Sequence, residues 1–122
     1  MKHIFLILLL LTATLFAETD LRLNHYPKAL EWLQDADTNG ESAYNIGVLY
    51  DQHVNDDHKA IEWYKKAYEM DDINAAGSSA NNIAYIYDDL KEYRTAIKWY
   101  KKGINKNNIN SALGLAVLYK SV

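Results

Sequence analysis

Two short patterns, written alternately three times each, constrain this chain more than any other feature. Lys59-Ala60-Ile61-Glu62-Trp63-Tyr64-Lys65-Lys66-Ala67 returns thirty-six residues later as Thr95-Ala96-Ile97-Lys98-Trp99-Tyr100-Lys101-Lys102-Gly103. An earlier version, Lys28-Ala29-Leu30-Glu31-Trp32-Leu33-Gln34-Asp35-Ala36, stands thirty-one residues before the first. Between these lie Ser42-Ala43-Tyr44-Asn45-Ile46-Gly47-Val48-Leu49-Tyr50, Ser79-Ala80-Asn81-Asn82-Ile83-Ala84-Tyr85-Ile86-Tyr87 and Ser111-Ala112-Leu113-Gly114-Leu115-Ala116-Val117-Leu118-Tyr119. A period of this length marks an array in which each unit buries its apolar face by stacking on the next.

Both patterns have the spacing of helices. Ala43, Ile46, Gly47 and Tyr50 fall at i, i+3, i+4 and i+7, and Ala80, Ile83, Ala84 and Tyr87 repeat that stripe. In the tryptophan-bearing pattern Ala60, Tyr64 and Ala67 share one face, as do Ala96, Tyr100 and Gly103. Two antiparallel helices approach closely where both present small side chains, which pairs Gly47 or Ala84 with Ala60 or Ala96. The larger Trp63, Tyr64, Trp99 and Tyr100 then fill the space above and below, as core. Polar turns are expected over Asp51 to Asp57, Asp71 to Ser78 and Lys106 to Asn110.

At these residues the chain resembles the Sel1-like branch of the tetratricopeptide repeat superfamily. The resemblance rests on Ala43, Ile46-Gly47, Tyr50, Lys59-Ala60, Trp63-Tyr64 and Lys66-Ala67, and it spans about Pro27 to Tyr119. Gly47 to Ala60 is one residue longer than the twelve-residue spacing from Ala84 to Ala96, so the chain stands between the two subtypes. What the resemblance implies is an all-α, right-handed superhelix of about two and a half helix hairpins, with units near 27–38, 41–72, 78–107 and 110–122.

Ahead of the array, Met1-Lys2-His3 and the apolar run Ile4 to Leu11 lead to Ala17 before polar Glu18-Thr19-Asp20. That run is shorter than a membrane span of about 20 residues, so residues 1–17 read as a signal peptide and 18–122 as the exported repeat domain. The alternative is an uncleaved anchor. Localisation is then periplasmic or secreted, with no membrane contact after cleavage. Sequence length, 122 residues with 49% hydrophobic and 24% charged, suits one domain. A net charge of −3 gives no basic footprint for nucleic acid, and the absence of cysteine excludes disulfides and thiolate sites.

Catalytic and metal-binding patterns in the sequence are incomplete. Asp35-Ala36-Asp37-Thr38-Asn39-Gly40 matches the first half of an EF-hand loop, but Ile46 stands where the bidentate Glu belongs. The favoured reading is a capped helix end with Gly40 left-handed. His53 and His58, with Asp51, Asp56 and Asp57, lack the helical presentation of zinc sites, so neither metal nor cofactor is expected. No nucleophile motif occurs, and the chain reads as a non-enzyme. A rival reading is an envelope hydrolase of the penicillin-binding type, to which cysteine-rich Sel1-like relatives have been linked; a truncated, non-functional fragment is a third.

Function is expected on the helices of the second pattern, Ser42–Tyr50 and Ser79–Tyr87, whose residues outside the core stripe line a groove in the resembled family. Those positions are Glu41, Tyr44, Asn45, Val48, Asp51 and Gln52, then Ser78, Asn81, Asn82, Tyr85, Asp88 and Asp89. Asn45 and Asn82 match asparagines that hold a C-terminal carboxylate in some members, yet the lysines and arginines of such a clamp are missing. The acids favour a basic or amphipathic protein or peptide partner. The Lys65-Lys66 and Lys101-Lys102 stems should cover apolar surface with their ammonium groups in water.

A second surface is expected at the ends of the array. Ser111 to Tyr119 is apolar nearly all round and lacks a following partner helix, while Pro27 to Ala36 lacks a preceding one. Glu18 to Asp72 carries thirteen acids against five bases, a net of −8, and Ile73 to Val122 a net of +4. The expectation is that residues 111–119 are covered by the Pro27–Ala36 helix of a neighbouring molecule, a head-to-tail association, or by a partner helix. From the leader comes the first test: protein expressed from its own start and recovered outside the cytoplasm should have an intact mass beginning at Glu18. Membrane-bound protein retaining Met1 or Lys2 would establish the anchor instead.

Overall fold

The computed structural model describes residues 20–121; the expected signal peptide lies outside the described residues. Six α-helices run α1 Pro27–Asp35, α2 Gly40–Val48, α3 Asp57–Glu69, α4 Ala75–Asp89, α5 Tyr93–Asn105 and α6 Ile109–Ser121. A 3₁₀ turn, Leu21–His25, precedes α1, and a π-helical stretch, Leu49–Val54, prolongs α2. Among the described residues there is no strand, and the architecture is an all-helical repeat solenoid. The tryptophan pattern occupies α1, α3 and α5, and the other pattern α2, α4 and α6.

Each reversal is fixed by local backbone chemistry. Asn39 accepts from the amides of Glu41 and Ser42 at the start of α2, Asp56 from Lys59 N in α3, and Asp72 from Asn74 N and Ala75 N at α4. Four residues adopt the left-handed conformation just past helix ends: Asn55, Asp71, Lys91 and Asn107. Asn55 and Lys91 are thirty-six residues apart, as are Asp71 and Asn107, so the repeat is written in backbone angles as well as side chains. No glycine has a positive φ, which corrects the expectation for Gly40. Gly40 instead opens α2 against the α3–α4 turn, where a Cβ would come within 3.0 Å of Asp72 Cβ. The oxygens of the half EF-hand are spent locally: Asn39 Nδ2 donates to Asp35, and Asp37 pairs with Lys66 at 2.7 Å.

Two turns are shorter than expected because the helices run further. Asp51 to Val54 continue α2 as π-helix, and Ala75 to Ser78 form an additional first turn of α4. The π stretch takes up the one-residue excess between Gly47 and Ala60. Tyr64 Oη donates to Asp51, thirteen residues back, at 3.0 Å, whereas Tyr100 Oη makes the equivalent bond to Asp88, twelve back, at 3.2 Å. Register is thus held through Asp51, and the surplus residue is absorbed before left-handed Asn55.

Ala43, Ile46, Gly47, Ala60, Tyr64, Ala67, Ala80, Ile83, Ala84, Ala96 and Tyr100 are buried, as is Tyr50. Trp63, Trp99 and Tyr87 depart from the expected core and are half-buried. Lys66 stands over the Trp63 ring at 4.7 Å and Lys102 over Trp99 at 4.9 Å, so these ammonium groups meet aromatic faces as well as water. Trp99 also meets Tyr68 edge-on at 5.4 Å, joining α3 to α5.

The first end of the array is closed. Leu23 of the 3₁₀ turn and Ala29 of α1 are both fully buried, so the α1 face expected to be vacant is filled. Tyr50 Oη donates to Asp20 at 3.0 Å, and Arg22 pairs with both Asp20 and Asp56. The Arg22 side chain holds the Asp20 carboxyl down at about 2.

Close approach and backbone strain predict opposite effects in one denaturation experiment. A Cβ at position 47 would lie 2.6 Å from the Tyr64 ring, so Gly47→Ala should lower stability by about 1–3 kcal/mol. Relieving the left-handed Lys91 with Lys91→Gly should raise it by about 0.5–1 kcal/mol. Equal midpoints for Gly47→Ala and the parent would show that α2 and α3 are not locked at this contact.

Candidate functional site

Helices α2 and α4 contain no lysine or arginine, and they lie beside one another. Their N-terminal ends enclose a cleft of about 270 Å³ lined by Glu41, Tyr44 and Asn45 from α2, Asp72 and Asn74 from the turn, and Ala75 and Ser78 from α4. The early start of α4 builds one wall. Asp72 and Asn74 were not among the expected site residues, although Asp72 before Asn74-Ala75-Ala76 carries the signature of a helix start.

The other expected groove residues divide by what they already hold. Asn82 Nδ2 donates to Tyr64 Oη at 3.2 Å and to Tyr44 Oη at 3.5 Å, with the Tyr44 and Tyr64 rings 5.7 Å apart. Asn81 Oδ1 accepts from Ser111 Oγ at 3.3 Å. These two asparagines brace neighbouring helices instead of standing open to a peptide. Val48 is half-buried against the core, and Asp51 and Asp88 accept the tyrosine hydroxyls. Tyr85 is 61% exposed, and Gln52 and Asp89 are exposed as well. Asn45 makes no side-chain hydrogen bond among the described residues and points its capacity at the cleft it lines.

Electrostatically α2 and α4 contribute carboxylates and no lysine or arginine to this side of the molecule. Burial pushes the Asp51 carboxyl above its ordinary value, and the nearby carboxylates of Asp57 and Asp89 push it further, against the lowering bond from Tyr64. Burial likewise drives the Tyr64 and Tyr100 phenols far upward, with Asp51 and Asp88 reinforcing the shift, so both remain hydrogen-bond donors. Glu41 and Asp72 place two more carboxyls at the cleft itself. Among the described residues no cluster of three metal-ligating side chains occurs: His53 packs on Tyr26, and His58 faces Glu62.

The sequence profile of the tetratricopeptide repeat matches residues 40–74 and 78–108, together more than half of the chain. The first matched segment holds α2–α3, and the second α4 from Ser78 onward together with α5. No curated protein matches the chain significantly.

The raised Asp51 carboxyl has a defined pH consequence. Its proton is bound more tightly in the folded chain than in the unfolded one, so its contribution is present below the unfolded value of 3.8 and lost as pH rises through the folded one. Asp51→Asn, which can still accept from Tyr64, should therefore raise the melting temperature at pH 7 and leave it unchanged near pH 3. Thermal melts at the two pH values check this, and a loss of stability at pH 7 would contradict it.

Proposed function

The chain belongs to the tetratricopeptide repeat family, and on that premise we propose that it is an exported, non-catalytic interaction module whose α2–α4 cleft receives a basic side chain of a partner peptide. Tetratricopeptide repeats mediate protein–protein interaction, so the family supplies the class of activity and the cleft its polarity. The observation that carries the reading is the lining itself: Glu41 and Asp72 converge with the Asn45 and Asn74 amides and the Tyr44 ring on one hollow. Two carboxylates with amide oxygens beside them suit an ammonium or guanidinium group, and the aromatic face adds a cation–π surface. About 270 Å³ is below the roughly 300–1,000 Å³ typical of small-molecule sites and fits a side chain better than a cofactor.

Charge extends the site in one direction. Asp51 and Asp89 continue the acidic surface along α2 and α4, so further basic residues of the same peptide would meet carboxylates. Export rests on the Ile4–Leu11 run and on Ala17, with the periplasm or exterior as the destination. Within the family we read the chain as Sel1-like, on Trp63-Tyr64 and Lys66-Ala67 following Ile46-Gly47.

A pulldown with residues 18–122 from periplasmic extract identifies the partner, and calorimetry with the mapped peptide then tests the cleft. Glu41→Gln combined with Asn45→Ala should weaken binding about 10–100-fold, the scale of one lost charge-assisted hydrogen bond, and flatten its salt dependence. An affinity unchanged by the pair would remove the cleft as the binding site.

A further inference from the structure

At the second end of the array, α6 exposes the stripe that its counterparts bury. Ala112, Ala116 and Tyr119 align with Ala43, Gly47 and Tyr50 of α2 and with Ala80, Ala84 and Tyr87 of α4. Ala43 and Ala80 are fully covered, and Gly47 and Ala84 are buried, against the Tyr64 ring and in a cluster with Ala96 and Tyr100 of the helix that follows each. Their α6 counterparts Ala112 and Ala116 are exposed, and Tyr119 is 57% exposed where Tyr50 is 3%. Here α6 is docked from its other side, with Gly114 against the Tyr100 ring and Ser111 against Gly103. No described residue covers the outer stripe.

Helix α5 shows what a neighbour on that stripe would touch. On α3, Lys65 and Tyr68 hold Trp99 of the next tryptophan-bearing helix, at 5.9 and 5.4 Å. Thirty-six residues later the corresponding positions are Lys101, exposed, and Ile104, 37% exposed. Ile104 also borders a shallow hollow of about 340 Å³ completed by Asn107, Asn108, Ile109 and Ala112. Between Tyr93 and Ser121 there is no acidic residue and there are six basic ones. Arg94, Lys98, Lys101 and Lys120 have no carboxylate partner among the described residues.

We propose that this end, the outer faces of α6 and the last turns of α5, is a docking surface for an amphipathic helix of a partner protein with small and aromatic residues on one face and acids on its flanks. Small residues admit close approach at Ala112 and Ala116, an aromatic ring has Lys101 and Ile104 to pack on, and acids answer the unpaired bases. Two copies meeting through α6 would bring like charges together. A second copy's α1 already has its Ala29 face covered by the Leu21–His25 turn.

The probe is a synthetic peptide of the Asp57–Glu69 sequence carrying Lys59→Glu and Lys65→Glu, titrated to millimolar concentration into residues 18–122 and followed by amide NMR. Saturable shifts at Ala112, Ala116 and Tyr119 are expected, weakening at least several-fold between 50 and 500 mM salt, lost in Ala116→Arg and retained in Glu41→Gln. The unaltered Asp57–Glu69 peptide should bind more weakly. Absence of shifts on α6 at millimolar peptide, shifts confined to the Glu41 cleft, or binding unaltered by Ala116→Arg would overturn the proposal. So would sedimentation showing a dimer of the unliganded chain that Ala116→Arg dissolves, which would make the face a contact between copies.

Discussion

The packing of the Tyr64 ring on Gly47 holds the rest of the structure in place. With no side chain at position 47, α2 and α3 come close enough for a Cβ there to lie 2.6 Å from the ring. The buried ring then delivers its hydroxyl to Asp51 on its own hairpin and receives Asn82 from the next. One side chain therefore sets the spacing inside a hairpin and the register between hairpins. Tyr100 repeats the role with Ala84 in place of Gly47 on its own hairpin, Asp88 as acceptor, and Gly114 of α6 where Asn82 meets Tyr64. Such contacts need both a small residue and a polar terminus, because a buried phenol without a partner would carry a desolvation cost of about 1–3 kcal/mol.

That requirement shapes the acidic side of the molecule. Asp51 and Asp88 each satisfy the hydroxyl of a core tyrosine, so these two carboxylates serve the packing first. Residues that escape this duty, Glu41, Asn45, Asp72 and Asn74, gather at the opposite end of α2 and α4 and form the cleft. The separation follows from helix direction: the tyrosine hydroxyls reach Asp51 in the π stretch beyond α2 and Asp88 at the end of α4, leaving the N-terminal turns open to solvent.

The two ends of the array differ for an equally simple reason. Leu23 and Arg22 supply the first end with an apolar plug and an ion pair, which substitute for a whole helix. The last end presents Ala112 and Ala116 uncovered, with basic side chains around them. A repeat exposes at one end whatever its internal copies bury, unless polar residues replace the stripe. In α6 they do not.

Periodicity alone determined the helices, their alternation, and the faces carrying Ala43, Gly47, Ala60, Tyr64, Ala96 and Tyr100, since a 3.6-residue stripe repeated at thirty-six residues leaves little other choice. The acidic character of α2 and α4 was equally legible, being composition confined to known faces. Tertiary structure alone decided that Asn81 and Asn82 brace helices, that the surplus residue before Ala60 becomes π-helix, and that Trp63 and Trp99 lie half-buried under lysines. It also decided that Gly40 is helical and that α4 begins early enough to wall the cleft. Each of these depends on which polar atom finds a partner across a helix boundary. Spacing along the chain places side chains on a face, but the pairing of a hydroxyl with a carboxylate or an amide is settled by the distance between helices.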